Sequence, residues 1–509
     1  MSLSPTAPLY EVVAERIVKE LPFAPTEHQA EAIVRLGHFL TDSHERTAFV
    51  LRGYAGTGKT TVVAALVKAL RRLGRPPVLL APTGRAAKVM AGYAGVSAYT
   101  IHRLIYQQKR FDGELSAFEI RHNKMRHTLF IVDEASMIAN DGHSGSVFGT
   151  GRLMDDLVEH VYSQNGCRLL LVGDEAQLPP VGESHSAALD VDYVRGFGLN
   201  TYHADLHQVV RQAQGSDILR NATRLRKLLV QARKTMAMYP FKPTLRADEN
   251  DGRSDVSVLM GGELIEELEH CYFRQRDEGL ALADTIVITR SNSRAIRINN
   301  GIRTRIFERE SLLSRGDLLM VSKNNYHWSE VAQRTLPAEA RPPFAFIANG
   351  DLARVERIQR IYELYGFQFA EVSLQFPDYE DYELDTVIIL DALQAEAPAL
   401  TREQANRLYE SVAEDYLDIP YKRDRMKKIR EDRHYNALQV KYAYAVTCHK
   451  AQGGQWANVI VDQGYVIEEQ MDDSYLRWLY TAVTRAQQHL YLLNWPEGQT
   501  EQAPKRIHH

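Results

Sequence analysis

TAFVLRGYAGTGKTTVVAALVKALRRL, residues 47–73, passes from a strand pattern to a helical one across a single glycine-rich loop. TAFVLRG (47–53) is a near-continuous apolar run of strand length, and VVAALVKALRRL (62–73) carries its apolar residues at helical spacing. Between them, Gly53-Tyr54-Ala55-Gly56-Thr57-Gly58-Lys59-Thr60, followed by Thr61, fits the pattern G-x-x-x-x-G-K-[ST]. Glycines at 53, 56 and 58 free the loop from Cβ clashes. The backbone N–H groups from Ala55 to Thr61 can then wrap around phosphate oxygens. The following helix adds the positive end of its dipole. Lys59 is placed to bridge β- and γ-phosphates and Thr60 to hold Mg²⁺, so the loop predicts ATP and Mg²⁺ as ligands.

Working outward, similar apolar runs recur at PPVLLAPT (76–83), TLFIVDE (128–134) and CRLLLVGD (167–174). A later set is DTIVITRS (284–291), QWANVIVDQ (455–463) and QHLYLLN (488–494). Runs that are apolar throughout, each followed by a polar loop or helix, are the mark of parallel strands buried on both faces, and predict an α/β fold. The strand at 129–132 delivers Asp133 and Glu134 together at its end. Asp133 suits Mg²⁺ coordination, and Glu134 suits positioning and deprotonating an attacking water. The strand at 169–172 leads into Gly173-Asp174-Glu175-Ala176-Gln177-Leu178-Pro179-Pro180, where Gln177 is placed to reach a γ-phosphate or the lytic water.

Composition excludes little but bounds the setting. The 509 residues are 44% hydrophobic and 25% charged, enough for large cores, with a formal net charge of −4. No apolar run approaches the length needed to span a bilayer. The N-terminus lacks the layout of a secretion signal. Cys167, Cys271 and Cys448 match no metal-ligand spacing and suit a reduced, cytoplasmic setting. Segment 305–400 has shorter β-like pieces, with Asn349-Gly350 as a turn, and reads as a small antiparallel β insertion. Segment 401–435 is charged and helical in pattern. Its basic cluster YKRDRMKKIR (421–430) is either a solvated face or a nucleic-acid contact.

GYAGTGKTT, LAPTGRAA (80–87), TIHRL (100–104), VDEAS, GDEAQLPPVG, VVRQ (209–212), AYAVTCHKAQGGQW (443–456) and LYTAVTRAQQHLYLL (479–493) stand in the order of superfamily 1 helicase motifs. The set spans nearly the whole chain and resembles the RecD/Dda-like group. That resemblance implies two RecA-like P-loop motor domains, with a small hairpin insertion in the first and an SH3-like β insertion in the second. The expected boundaries are 1–199 for the first domain, 200–304 with 436–509 for the second, and 305–435 for the insertion with its charged helices.

The resemblance also assigns residues. Gln29 is either the glutamine that reads adenine or an exposed helix residue, and Gly453 falls on the nucleotide side. Arg211 and Arg485 match the two arginines sent to the γ-phosphate, where a planar, permanently charged fork suits phosphate oxygens. Pro82, Thr83, Arg85, Thr100, His102, His449 and Lys450 fall near the DNA strand. Gln455 stands where the family often has an acidic residue. Segment 105–127 falls where relatives carry a wedge. With Asp112-Gly113 turning it, Phe111 either stacks on a base or tips a plain surface hairpin. The implied activity is an ATP-dependent DNA helicase moving 5′ to 3′ as a monomer on single-stranded DNA and duplex junctions. Repair or recombination is the expected setting, and no separate nuclease domain is evident. An RNA helicase on the same motor and a non-hydrolysing nucleic-acid clamp are the alternatives, and a subunit of a recombination nuclease complex is compatible with the motor.

Overall fold

The structure is a computed structural model and describes residues 8–108, 118–140, 149–210, 216–235, 241, 243–245, 254–273, 282–344, 346–467, 470–495 and 501–502. The chain forms two compact units. The first holds the described residues up to Phe241 together with Met471–Thr484, and the second holds the rest.

The first unit is built on a six-stranded sheet. Its members are β1 (Thr47–Gly53), β2 (Val78–Ala81), β3 (Ala98–Thr100), β6 (Leu129–Val132), β7 (Arg168–Gly173) and β8 (Asn200–Leu206). The order is β3-β2-β6-β7-β1-β8 and every pairing is parallel. Five of the seven residues of β1 in a row are fully inside, as expected of a strand covered on both faces. One face is covered by a core that includes Ile33, Leu36, Phe39, Leu66 and Met90, and the other by Ile101, Met154, Leu157, Val161 and Val194. β4 (Tyr106–Gln108) and β5 (Phe118–Ile120) form the two arms of an antiparallel hairpin, with Tyr106 opposite Ile120. Asp112, Gly113 and Phe111 lie outside the described residues.

The first sheet runs past the expected boundary at 199. β8 pairs with β1 along its length, from Thr47 opposite Asn200 to Gly53 opposite Leu206. As an edge strand it alternates buried and partly exposed positions, so it lacks the unbroken apolar run that marks its neighbours. The chain also returns to this unit late. Helix Asp473–Val483, expected in the second domain, packs against helix Asp217–Thr235 of the first unit.

The second unit has its own parallel sheet, with β10 (Val256–Leu259), β11 (Thr285–Thr289), β17 (Ala445–Thr447), β18 (Trp456–Asp462) and β19 (Ala486–Leu493) in the order β10-β19-β18-β11-β17. A closed five-stranded barrel interrupts it, formed by β12 (Leu318–Val321), β13 (Leu352–Leu364), β14 (Phe367–Phe376), β15 (Tyr382–Ile389) and β16 (Leu438–Tyr442). β13 and β14 are joined by Tyr365-Gly366, both at positive φ (56° and 70°), a two-residue turn whose twist matches the strands. The barrel outlasts the expected insertion end at 435. β16 closes it against β12, and the chain is in the parallel sheet by Ala445. The charged segment forms helices Arg402–Glu414 and Lys422–Glu431, which bury Leu408, Val412, Met426 and Ile429 against Phe367 and Phe369 of the barrel.

A buried ion cluster joins barrel and sheet. Asp317 is fully buried and takes a bidentate pair of bonds from Arg303, at 3.0 Å each. Arg309 adds one at 2.9 Å. A short pair, β9 (Thr244–Leu245) with β20 (Glu501–Gln502), completes the described strands. No helix among the described residues is long and apolar enough to cross a membrane.

Candidate nucleotide site and nucleic-acid face

The loop after β1 follows the course its glycines allow. Gly56 and Gly58 take φ of 74° and 82°, and a Cβ on Gly58 would lie 2.3 Å from the Gln29 amide nitrogen. Only glycine meets both demands there. Thr57 Oγ1 donates to the Tyr54 carbonyl at 2.8 Å and braces the loop. Lys59 opens helix Lys59–Arg72, and its Nζ donates to the carbonyls of Gly53 (2.5 Å) and Tyr54 (3.0 Å). Thr60 is exposed. Gln29 is buried rather than exposed on its helix. Its Oε1 accepts from Thr26 N in a capping box, and its Nε2 donates to the Thr57 carbonyl at 3.1 Å.

β7 lies beside β1 and β6 beside β7, so the loops after these strands leave the sheet at the same edge as this loop. Asp133 accepts from the Tyr93 hydroxyl at 2.5 Å and from Glu134 N at 2.8 Å. Burial beside Asp133 pushes the Tyr93 phenol well above its usual range, so it stays a donor. Glu134 sits at φ 52°, in the left-handed region that favours glycine. Such strain persists where the surroundings fix it and clusters at working sites. Gly173 lets the end of β7 pass under the acidic loop, since a Cβ would lie 3.1 Å from Ser136 N and 2.9 Å from Leu189. Gln177 is buried, and its Oε1 has no hydrogen-bond partner among the described residues.

Helix Asp473–Val483 ties these pieces together in a way the motif pattern did not reveal. The fully buried Tyr480 hydroxyl accepts from Ala55 N at 2.9 Å and donates to Asp174 at 2.6 Å. Thr481 Oγ1 accepts from Leu178 N at 2.8 Å, and Arg477 donates to the Gln177 carbonyl at 3.2 Å. The phosphate loop and the Gln177 loop are therefore both pinned to one helix. The only advance signal was Tyr480 in LYTAV, an apolar run that reads as core.

The residues expected at the DNA strand fall in both units. Thr83 and Thr100 cap helices Gly84–Ala94 and Ile101–Ile105, accepting from Ala86 N and Arg103 N. Pro82 and Arg85 flank the first cap, both half-buried. Desolvation pushes the His102 imidazole down to about 4, against the pull of Asp156, so it is neutral at neutral pH. Nearby, Tyr106 at the root of the hairpin donates to the buried Asp156 at 2.6 Å. In the second unit, Thr447 precedes helix Cys448–Ala451, which carries an exposed His449 and a half-buried Lys450. Gly453 lies just beyond at φ 73°. Arg485 is buried there, donating to the Gly454 carbonyl at 3.2 Å. Gln455 accepts from Gln487 at 2.8 Å. Arg211 and Phe111 lie outside the described residues.

The loop fits a triphosphate. Its glycine cradle leaves no room for side chains, and among the described residues the Lys59 ammonium is met only by neutral carbonyls and Gln177 has a spare buried oxygen. Asp133 and Thr60 offer a single carboxylate and hydroxyl, the sparse protein ligation that Mg²⁺ uses when phosphates and water complete its shell.

An AAA-domain family model matches residues 25–239, and a UvrD-like helicase C-terminal domain model matches 442–493. The ATP-dependent RecD2 DNA helicase of Deinococcus radiodurans is 37% identical over 161 residues, 31% of this chain and 18% of that protein. The RecBCD enzyme subunit RecD of Mycolicibacterium smegmatis is 33% identical over 195 residues, 34% of this chain and 30% of that protein. The matches thus span less than a third of these relatives' own length. The crystal structure of the Pif1 helicase from Bacteroides in complex with ADP-AlF3 and single-stranded DNA is 15% identical, covers 94% of each chain and has a TM-score of 0.45. Its eight motifs in order and the two matched models make the chain similar to the superfamily 1 helicases of the RecD-like group.

Proposed function

We propose that this chain is an ATP-driven DNA helicase that tracks along single-stranded DNA in the 5′ to 3′ sense. The observation that carries the reading is the convergence of Lys59, Asp133, Glu134 and Gln177 at the ends of three neighbouring parallel strands. The names of the relatives, a DNA helicase and a RecBCD subunit, support DNA as the track.

In this reading the loop amides and Lys59 hold the β- and γ-phosphates, and Gln29 lines the base side. Thr60 and Asp133 would hold Mg²⁺, which neutralises developing phosphate charge. Glu134 orients the attacking water and takes its proton, with Gln177 against the γ-phosphate side. Arg211 and Arg485 act as arginine fingers, a role worth roughly 10³–10⁵ in rate where it has been measured in other phosphoryl transferases. Closing the two motor domains on ATP brings the fingers in, and release drags the strand. Pro82, Thr83, Arg85, Thr100, His102, His449 and Lys450 grip the strand through its backbone, which positions without reading sequence. His102 contributes a neutral N–H rather than a cation. The β4–β5 hairpin, with Phe111 in its connecting segment, is the wedge at the duplex junction.

Strand displacement tests this directly. The wild-type chain should unwind a duplex bearing a 5′ single-stranded tail and not one bearing a 3′ tail. Lys59→Ala should do neither while keeping its fold by circular dichroism. Unwinding by Lys59→Ala would remove the phosphate-loop assignment, and unwinding from the 3′ tail alone would reverse the direction.

A further inference from the structure

Helix Leu153–Tyr162 belongs to none of the eight motifs, yet it grips both roots of the β4–β5 hairpin. Asp156 and His160 stand one turn apart on it, both buried. The Asp156 carboxylate accepts from the Tyr106 hydroxyl at 2.6 Å, at the first residue of β4. Desolvation beside that carboxylate pushes the Tyr106 phenol up, so it stays a donor. Thr150 adds its backbone N–H at 3.1 Å and its hydroxyl at 2.7 Å to the same carboxylate. On the returning arm, His160 Nδ1 donates to the Arg121 carbonyl at 2.6 Å, one residue past β5. The buried Asn123 donates to the Val161 carbonyl at 3.2 Å. The helix is in turn fastened to the sheet, since the Tyr162 hydroxyl donates to the carbonyl of Thr47, where β1 begins, at 2.6 Å. His102 completes the root, its ring 5.6 Å from that of Tyr106.

A two-stranded hairpin is at best marginally stable alone in water, so its direction is set by what holds its root. An apolar pair in place of Asp156 and Tyr106 would fill the same space without desolvating a carboxylate. What it would lack is direction, because hydrogen bonds weaken steeply off axis and apolar contacts do not. We propose that Asp156 is a positioning residue for strand separation: through Tyr106 it fixes the angle at which the hairpin leaves the first sheet. Unwinding then depends on this carboxylate, and ATP turnover does not. The inference rests on the reading of the chain as a helicase with that hairpin as its wedge, and adds the residue that sets the wedge.

The test compares strand displacement on tailed duplexes with ATP hydrolysis stimulated by single-stranded DNA, in the wild-type full chain, Tyr106→Phe and Asp156→Asn. Tyr106→Phe removes one hydroxyl and keeps the ring, so the test stands on it even if Asp156→Asn does not fold. Each folded variant should unwind roughly tenfold more slowly, the scale of one hydrogen bond to a charged group, with ATP turnover close to wild type. Hydrogen exchange at the amides of β4 and β5 should quicken by a similar factor in Tyr106→Phe, while β1 and β7 keep their protection. Wild-type unwinding by folded Tyr106→Phe would overturn the assignment. So would a parallel loss of unwinding and ATP turnover, which would give Asp156 a general structural role. A wild-type chain that separates no tailed duplex would sink the helicase reading itself, and the proposal with it.

Discussion

Lys59 donates to two backbone carbonyls of its own loop, so a triphosphate entering the loop has only neutral competitors to displace. Tyr480 is the less expected residue. Its hydroxyl satisfies Ala55 N in the glycine-rich loop and ties it to the buried Asp174. Tyr480→Phe removes one hydrogen bond from each of these groups. It should destabilise the first unit by about 1–3 kcal/mol, read as an earlier denaturant midpoint. An unchanged midpoint would mean that water replaces the hydroxyl at no cost. Lys441 and Lys450 give a pH signature. Their folded-state values near 8 lie below the 10.5 of a free lysine, so the unfolded chain holds more protons between those limits. Stability should therefore gain from these two groups as pH rises from about 8 towards 10.5, while oligonucleotide affinity falls through the same range as Lys450 discharges. Affinity that is flat from pH 7 to 9.5 would disconnect Lys450 from the strand.

Elements explain what could be read early and what could not. The loop of 53–60, the acid pair at 133–134 and the buried parallel strands were legible because each leaves a local mark, glycine spacing or an unbroken apolar run. β8 and β16 were misallotted because edge and barrel strands alternate, and alternation does not say which sheet a strand joins. Helix Asp473–Val483 was placed with its sequence neighbours, because a hydrogen bond from one hydroxyl to a loop over 400 residues away has no periodic trace. The Arg303–Asp317–Arg309 cluster was likewise invisible, three charged residues in a polar stretch until the fold buries them. Asp317→Ala strands two guanidinium groups at the barrel root and should cost about 3–5 kcal/mol. Limited proteolysis should then cut the barrel strands well before the first sheet. Equal resistance in mutant and wild type would show that the barrel does not depend on the cluster.

At the scale of the whole molecule, the chain crosses between its two units after Phe241, at Met471 and again at Arg485. Tyr480 and Thr481 hold the phosphate loop and the Gln177 loop, and four residues on, Arg485 is already in the other unit, bound to the Gly454 carbonyl. A single short segment thus connects the glycine-rich and Gln177 loops of one unit to the proposed finger of the other, the covalent link that the proposed motor would need. The measurement that bears most directly on this account is steady-state ATP hydrolysis by the full chain, taken alone, with single-stranded DNA and with RNA of the same sequence. The account predicts at least a severalfold rise with single-stranded DNA, a smaller one with RNA, and loss of turnover in Lys59→Ala under every condition. A rate indifferent to nucleic acid, or one that survives Lys59→Ala, would contradict it.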